Sequence, residues 1–219
     1  MNRDFLVVFA HYDQYLNGLW NTLWLSAATL VLASITGCIL AALMLARPRA
    51  VRLPARWFVD AMRCVPFLLF AYLVYYGLPE LSLQLDSWAC GLLALVVYHT
   101  AYMAEIVRGA WTNLSREQIE AGRAFGFAGF PLFGRIILPQ LFFASVPVIG
   151  NQSIYILKDT AFLMIITVPE LTFAASAVQS TYFVPFASFV VAMLLYWLVT
   201  LGVEASVKRV EAAAEMRRG

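Results

Sequence analysis

The sequence predicts an all-α integral membrane protein with five transmembrane helices, an N-terminus outside the cell and a C-terminus in the cytoplasm. Of its 219 residues, 62% are hydrophobic and only 13% are charged, whereas about a quarter of the residues of a soluble domain are charged. Apolar stretches of the ~20 residues needed to cross the hydrocarbon core recur along the chain. Lysine and arginine concentrate in the segments between alternate stretches. We therefore expect a single transmembrane domain over residues 1–219.

Five apolar segments are expected to span the membrane. The first contains no charged residue. The second carries Asp60 and Arg63 in its first turns and is expected to kink at Pro66. A further apolar run at 161–168 is too short to cross alone, so we expect a re-entrant helix that is shielded by protein. The five expected spans are residues 16–46, 57–79, 87–108, 140–158 and 184–203.

The positions of the basic residues predict the orientation of these spans. Twelve of the 15 lysines and arginines lie in three groups, at residues 47–56, at 108–135 and after 204. The segments 80–86 and 169–182 contain none and are expected to be outer loops. Basic residues beside spans collect on the cytoplasmic side, which predicts the N-terminus outside and the C-terminus inside. A full sixth span would place the basic tail outside, so five spans are preferred.

Between the third and fourth spans, residues 115–139 predict two short helices joined by a glycine-rich bend. Ser115 begins a capping box at the start of the first helix. Gly126 suits the left-handed conformation that ends a helix, and Pro131 suits the start of the next one. Pro139 either breaks this second helix or opens the apolar span that follows. The charged first helix cannot lie in hydrocarbon, so we call residues 115–139 the cytoplasmic segment.

The cytoplasmic segment resembles the EAA loop of ABC importer permeases. Its consecutive residues Glu120, Ala121 and Gly122, the later Gly126 and the closing run 136–139 follow the spacing of that loop without gaps. Gly122 stands where the family usually has alanine. In that family the loop is the coupling helix that sits in a groove of a cytoplasmic ATPase. The residues that this resemblance implies for contact with the ATPase are Arg116, Glu117, Glu120, Ala121, Gly122, Arg123, Gly126, Leu138 and Pro139.

Further matches point to the polar amino-acid branch of these permeases. They are residues 18–23, 63–66, 76–79, 101–109, 158–160 and 170–171. The resemblance implies a permease subunit that moves polar amino acids across the bacterial inner membrane. It also implies three partners: a cytoplasmic ATPase dimer, an identical or sister permease, and a periplasmic or extracellular amino-acid-binding protein.

No catalytic residue, metal site or cofactor is expected in the chain itself. The phosphate-binding pattern G-x-x-x-x-G-K-[ST] is absent, so ATP hydrolysis would belong to the partner ATPase. The cysteines Cys38, Cys64 and Cys90 lie in apolar stretches and are interpreted as small buried hydrophobic residues. His99 is interpreted as a hydrogen-bonded packing residue rather than a ligand.

Charged residues within the spans are costly, by roughly 2.5–3.5 kcal/mol on insertion scales, so each needs a partner or a role. Glu105 and Arg108 form either a local ion pair or a contact with substrate or gate. Arg63 either reaches the cytoplasmic interface or pairs with a carboxylate across a dimer. Lys158 and Asp159 either neutralise each other or bind the two charges of an amino acid. The candidates for the translocation path or gate are Arg63, Glu105, Lys158, Asp159 and Thr160.

Two alternatives to the importer remain open on these residues alone. A stand-alone channel or secondary carrier for small polar solutes would use Glu105, Lys158 and Asp159 as an ion relay. It would leave the charged cytoplasmic segment without a partner. An integral membrane enzyme would require titratable groups clustered at one depth, whereas these charges are expected near opposite faces.

Overall fold

The computed structural model describes residues 2–215 and the side chains of residues 3–212. Within that range the chain is helical and contains no strand, which confirms the all-α prediction. A π-helical turn, Phe133–Ile137, joins α7 to α8, and a 3₁₀ helix, Thr160–Ile166, follows α8. The helices in chain order are α1 (Asn2–Ala10), α2 (Tyr12–Met44), α3 (Arg49–Cys64), α4 (Phe67–Glu80), α5 (Ser87–Thr112), α6 (Arg116–Ala124), α7 (Gly129–Leu132), α8 (Leu138–Asp159), α9 (Leu171–Tyr182) and α10 (Pro185–Glu215).

Four stretches of the described chain are long and apolar enough to cross a membrane: α2, α5, the run Gly129–Ile166, and α10 as far as Ala212. Helices α3 and α4 are bent by 109° at the break between them. They add a fifth span if the bent pair counts as one. The break between them lies at Val65 and Pro66, which confirms the kink predicted there. Two arginines of the predicted basic tail, Arg217 and Arg218, lie outside the described residues.

The centre of the molecule is the packing of α2 against α5. Buried residues recur at every third or fourth position of α2, and most of them are small. At Gly37, a Cβ atom would lie 2.5 Å from Met103 Cβ. Small residues at such contacts let two membrane helices approach closely and gain van der Waals packing. The buried residues of α2 are Tyr15, Gly18, Thr22, Leu25, Thr29, Ala33, Gly37, Ala41 and Met44.

The first helix of the cytoplasmic segment forms as predicted. The Ser115 hydroxyl accepts a hydrogen bond from the Gln118 N–H at 3.5 Å at the start of α6. Gly126 follows α6 with a φ of +84°, in the left-handed region. Pro131 lies in α7, and Pro139 lies in the first turn of α8 without breaking it. Of the two possibilities for Pro139, the structure shows the second: α7, the π turn and α8 form one continuous helical run.

After α8 the chain makes two short helices instead of a helix and a loop. The expected short helix is the 3₁₀ helix, in which Leu163 and Ile166 are buried, and Thr167 then turns the chain with a φ of +61°. The prediction of a loop at 169–182 is wrong, because residues Leu171–Tyr182 form α9, which packs against α2 and α10. Alanine, serine and threonine make this segment look polar, but their small side chains fit between two helices.

Glu170 precedes α9 and has no exposed surface. One carboxylate oxygen accepts a hydrogen bond from the Phe173 N–H, and the other accepts from the Thr172 N–H and the Tyr196 hydroxyl, each at 2.7 Å. The backbone N–H of Leu171 donates to the Thr22 hydroxyl at 3.1 Å. A carboxylate at this position satisfies the free N–H groups of a helix start. Here it also ties α9 to α10, while the Leu171 N–H ties α9 to α2.

The expectation that all three cysteines are buried is wrong for two of them. Cys38 and Cys64 are exposed, Cys90 is buried, and all three are free thiols. Apolar neighbours in a soluble protein indicate a core, but in a membrane protein they also occur on surfaces that face lipid. The apolar context of a cysteine therefore does not predict its burial in this chain.

Candidate functional site

A cavity of about 700 Å³ lies between α4, α5, α8 and the 3₁₀ helix. Five of its lining residues are phenylalanine or tyrosine, and Asp159 is the acidic residue among them. An apolar, aromatic cavity of this size with a few polar groups is typical of small-molecule sites. The lining residues are Pro66, Phe67, Leu68, Tyr98, His99, Tyr102, Gln152, Tyr155, Asp159 and Phe162.

The polar side of the cavity is a row of three side chains. The ring of His99 is 1% exposed and lies between Gln152 and Asp159. The Gln152 amide nitrogen is 2.9 Å from His99 Nδ1, and His99 Nε2 is 3.3 Å from the Asp159 carboxylate. With the amide as donor, Nδ1 accepts, while Nε2 lies near the carboxylate without forming a hydrogen bond to it. Asp159 keeps acceptor positions free for a cationic ligand, since a carboxylate offers about four.

Lys158 and Asp159 do not pair with each other. Asp159 contacts His99, whereas the side chain of Lys158 is exposed and lies outside the cavity lining. The interpretation that the two charges neutralise each other is therefore wrong. Thr160, a further predicted path residue, is fully buried and donates to the Leu157 carbonyl at 2.7 Å. Of these three, only Asp159 reaches the cavity.

Glu105 and Arg108 form the local ion pair that was one of two possibilities. Arg108 binds both carboxylate oxygens of Glu105, at 2.6 and 2.8 Å. Arg63 approaches the same carboxylate at 3.7 Å, so it pairs within this chain. Its guanidinium also lies 6.0 Å from the ring centre of Tyr102, which lines the cavity. The three charges therefore lie beside the cavity, in contact with part of its wall.

Sequence reasoning missed Gln152 and assigned His99 to packing alone. His99 does pack and is hydrogen-bonded to Gln152, and its Nε2 also lies 3.3 Å from the Asp159 carboxylate in the cavity. A signal was present, because Gln152 lies in a run of three polar residues, Asn151 to Ser153, within a largely apolar segment. The pairing of Gln152 with His99 joins residues 53 positions apart, and a single sequence does not show which helices meet.

The cytoplasmic segment presents a charged and aromatic surface. Among the predicted contact residues Gly122 is buried, and a Cβ atom there would lie 2.5 Å from Ile136 Cδ1. Phe125 and Phe130, which the sequence analysis did not single out, flank the bend and are 84% and 82% exposed. The predicted contact residues that are exposed are Arg116, Glu117, Glu120, Ala121, Arg123, Gly126 and Leu138, while Pro139 is half-buried.

The sequence family of binding-protein-dependent transport system inner membrane components matches residues 33–215. The chain belongs to this family. The match confirms the predicted family and makes the chain a multi-pass protein of the bacterial inner membrane. A stand-alone carrier and a membrane enzyme both disagree with it, because the members of this family are components of larger transport systems.

Related proteins of known name align over nearly the whole chain. A probable glutamine ABC transporter permease protein of Bacillus subtilis is 29% identical over 213 residues, covering 95% of this chain and 97% of the relative. A nopaline transport system permease protein of Agrobacterium fabrum is 31% identical over 218 residues, covering 95% and 90%. An arginine ABC transporter permease protein of Haemophilus influenzae is 30% identical over 197 residues, covering 87% and 88%.

Solved structures share the fold. The crystal structure of an amino acid ABC transporter with histidines superposes with a TM-score of 0.90 at 25% identity, covering 95% of this chain and 98% of the other. An inward-facing structure of the MetNI methionine ABC transporter gives a TM-score of 0.77 at 15% identity, covering 94% and 98%. At that lower identity the likeness concerns the fold alone.

Proposed function

We propose that this protein is the transmembrane permease subunit of an ATP-driven importer of polar amino acids. The family membership, and relatives named for glutamine, nopaline and arginine transport, support this class of substrate. The subunit itself moves the solute and makes or breaks no covalent bond. A separate cytoplasmic ATPase dimer hydrolyses ATP, and a binding protein delivers the amino acid from outside.

The observation that carries this proposal is the exposed surface of the cytoplasmic segment. Glu120 and Arg123 on α6 are exposed, and beside them Phe125 and Phe130 are almost fully exposed. Large exposed apolar side chains next to charges are typical of surfaces that bind another protein. We assign this surface to the ATPase, which the resemblance to the coupling helix also implies.

The position of α6 in the chain gives it leverage on the cavity. It follows the C-terminal end of α5 at Thr112, and it leads through α7 and the π turn into α8. Both α5 and α8 line the cavity. A displacement of α6 by the ATPase would therefore move two cavity walls at once, which is the movement that alternating access requires.

The cavity is the proposed resting place of the amino acid. Asp159 accepts hydrogen bonds from the substrate ammonium and lies beside the buried pair of His99 and Gln152. Charge-assisted hydrogen bonds of this kind are stronger than neutral ones. Thr160 positions Asp159 through the helix end, and Arg63 and Glu105 lie at the gate beside Tyr102.

A second permease, identical or a sister, would cover the exposed face of α8. Val148, Asn151, Tyr155 and Lys158 recur at three- and four-residue spacing on this face, and all are exposed. Amide and ammonium groups within a span face protein or a water-filled path rather than lipid. The translocation path would then run between two α8 helices, as in a pair related by a two-fold axis.

The proposed orientation puts the N-terminus outside and the C-terminus in the cytoplasm. It places the basic segments 47–56 and 108–135 inside, in agreement with the positive-inside rule. The ends of α4 and α9, which lack lysine and arginine, would then face the binding protein. We propose that the spans have the limits predicted from the sequence, except where a helix of the structure begins or ends elsewhere.

Affinity purification of the tagged chain from its native membranes in mild detergent tests this function. ATP hydrolysis should co-purify with the wild-type chain. Glu120→Lys reverses a charge on the ATPase-binding surface and should lower the co-purified hydrolysis by about tenfold or more. Glu80→Lys, an equally exposed charge reversal at the end of α4, is the matched control and should change little.

Size-exclusion profiles of both variants must match that of the wild type, so that loss of the ATPase is not mistaken for unfolding. Hydrolysis that survives Glu120→Lys would contradict the proposed docking surface. Uptake of labelled amino acid in liposomes without ATP would contradict the importer as a whole.

A further inference from the structure

The break between α3 and α4 has one unusual hydrogen bond. Val65 and Pro66 are extended, and the N–H groups of Leu69 and Phe70 bond to the Pro66 carbonyl. The Val65 carbonyl instead accepts a hydrogen bond from the Tyr98 hydroxyl on α5, at 3.1 Å. A backbone carbonyl inside a span needs a partner, because lipid offers none. Tyr98 therefore supplies what the interrupted helix lacks.

Two further contacts join the same end of α3 to α5. The Tyr98 hydroxyl is 3.2 Å from the Tyr102 hydroxyl, and the guanidinium of Arg63 lies 6.0 Å from the Tyr102 ring. Arg63 also approaches Glu105 at 3.7 Å. Positions 98, 102 and 105 are four and three residues apart, so they lie along one stripe of α5. The side chains of this stripe contact Arg63 and Val65, the residues on either side of Cys64.

The stripe connects the cavity with the cytoplasmic segment. Tyr98, Tyr102 and Pro66 line the cavity, so a bound amino acid would touch the same side chains that hold the break. The same helix, α5, ends at Thr112, and α6 begins at Arg116. A movement of α6 along or across the membrane is therefore transmitted directly to the contacts at the break.

We propose that the Val65–Pro66 break is a pivot, that Tyr98 and Tyr102 are positioning residues that lock it, and that the Arg63–Glu105 contact forms and breaks together with this lock. This inference rests on the proposed importer function. When the ATPase displaces α6, α5 shifts against α3, the Tyr98–Val65 hydrogen bond breaks, and Arg63 separates from Glu105.

When Arg63 separates from Glu105, the Glu105 carboxylate keeps its other partner, Arg108, and is not left unpaired. Arg108 lies on the same helix as Glu105 and holds it through two short hydrogen bonds, whereas Arg63 lies on α3 at a longer distance. Breaking a pair that leaves one charge buried and unpaired is strongly unfavourable. Because Arg108 moves with Glu105, the carboxylate stays paired, and Arg63, which is partly exposed, is free to leave.

Tyr98→Phe tests the lock, because it removes one hydroxyl and keeps the ring. In the permease–ATPase complex reconstituted in liposomes, we expect basal ATP hydrolysis to rise by about fivefold. Amino acids transported per ATP should fall by a similar factor. Tyr76→Phe, on the exposed side of α4, is the matched control and should leave both rates unchanged. A Tyr98→Phe complex with lower thermal stability but the wild-type ratio of transport to hydrolysis would overturn the lock.

A distance measurement tests the pivot without relying on transport. In a variant whose three cysteines are replaced by alanine, spin labels are placed at the exposed positions Trp57 on α3 and Asn113 after α5. We expect one distance without nucleotide, a second distance with ATP, and both distances without nucleotide in Tyr98→Phe. A single, unchanged distance in all states would overturn the pivot. If ATP-driven uptake persisted in that case, the importer function would stand and only the pivot would fail.

Discussion

Neighbouring residues with opposite charges, Lys158 and Asp159, have separate surroundings in this protein. Asp159 contacts His99 and lines the cavity, whereas Lys158 lies on the exposed face of α8. One residue step turns an α-helix by about 100°, which is enough to place two neighbours on different surfaces. Asp159 is thus suited to bind an ammonium group in the cavity, whereas Lys158 is suited to the proposed path between two permeases.

Replacing the cavity carboxylate should weaken amino-acid binding while the chain stays folded. Asp159→Asn removes the charge but keeps the size of the side chain, and a hydrogen bond to a charged group corresponds to about 10- to 100-fold in affinity. Equilibrium binding of a labelled amino acid to the purified permease–ATPase complex, without binding protein, measures the loss. Lys158→Gln should bind as the wild type does. Equal losses in the two variants would argue against a special role for Asp159.

Sequence reasoning found Asp159 but not its supporting residues. A charge in a span needs an explanation, so Asp159 was visible from the sequence. The amide of Gln152 and the ring of His99 are less costly in a membrane, and many such residues only pack helices. Their role follows from the contact of α5 with α8, which a periodic pattern does not specify.

Among the helices, α6 joins two spans and is itself exposed. Its start is set by Ser115 and its end by Gly126, whose φ of +84° favours glycine. The apolar residues Leu132, Ile137 and Leu141 pack beneath it. The orientation of α6, and with it of the proposed ATPase-binding surface, therefore depends on the bend at Gly126 as well as on the charged side chains of α6.

Placing a side chain at the bend should disturb coupling more than folding. Gly126→Ala meets no neighbouring atom, but a left-handed non-glycine residue costs about 1–2 kcal/mol. We expect less co-purified ATPase from detergent extracts and an unchanged amount of folded permease. Gly109→Ala is the control, since it also meets no atom and has no left-handed φ, and alanine is the better helix former there. Normal ATPase recovery with Gly126→Ala would mean that the bend tolerates relaxation.

Local rules predicted some of these elements and failed for others. The capping serine, the left-handed glycine and the kink at Pro66 follow from the chemistry of single residues, and the structure shows all three. Such rules do not predict helix α9, because it is stabilised by contacts with other helices. Glu170 accepts from the Tyr196 hydroxyl, and the Leu171 N–H donates to the Thr22 hydroxyl. Partners so distant in sequence override the local preference for a loop.

The isolated chain leaves a polar face uncovered in the membrane. Asn151 and Lys158 lie on the exposed side of α8, whereas the exposed side of α10 carries residues such as Met193 and Leu194. Lipid solvates the second face well and the first poorly. The whole molecule therefore has one side suited to a second permease and another suited to lipid.

A cysteine on the polar face should cross-link two permeases. With the native cysteines replaced by alanine, Asn151→Cys should give a dimer band after mild oxidation or a short bifunctional reagent in native membranes. Met193→Cys, 61% exposed on α10, should give none, because this face is expected to contact lipid. Cross-links from position 193 and not from 151 would place the second permease on the other side.

Phe125 and Phe130 also bear on how the cell handles a copy that has not yet met its ATPase. In the proposed orientation, such a copy would expose both phenyl rings to the cytosol until it is assembled, and exposed apolar surface of this kind invites aggregation and attracts chaperones. The surface proposed to bind the ATPase would then also mark an unassembled subunit for removal. Synthesis of the two subunits in matched amounts would keep that label hidden.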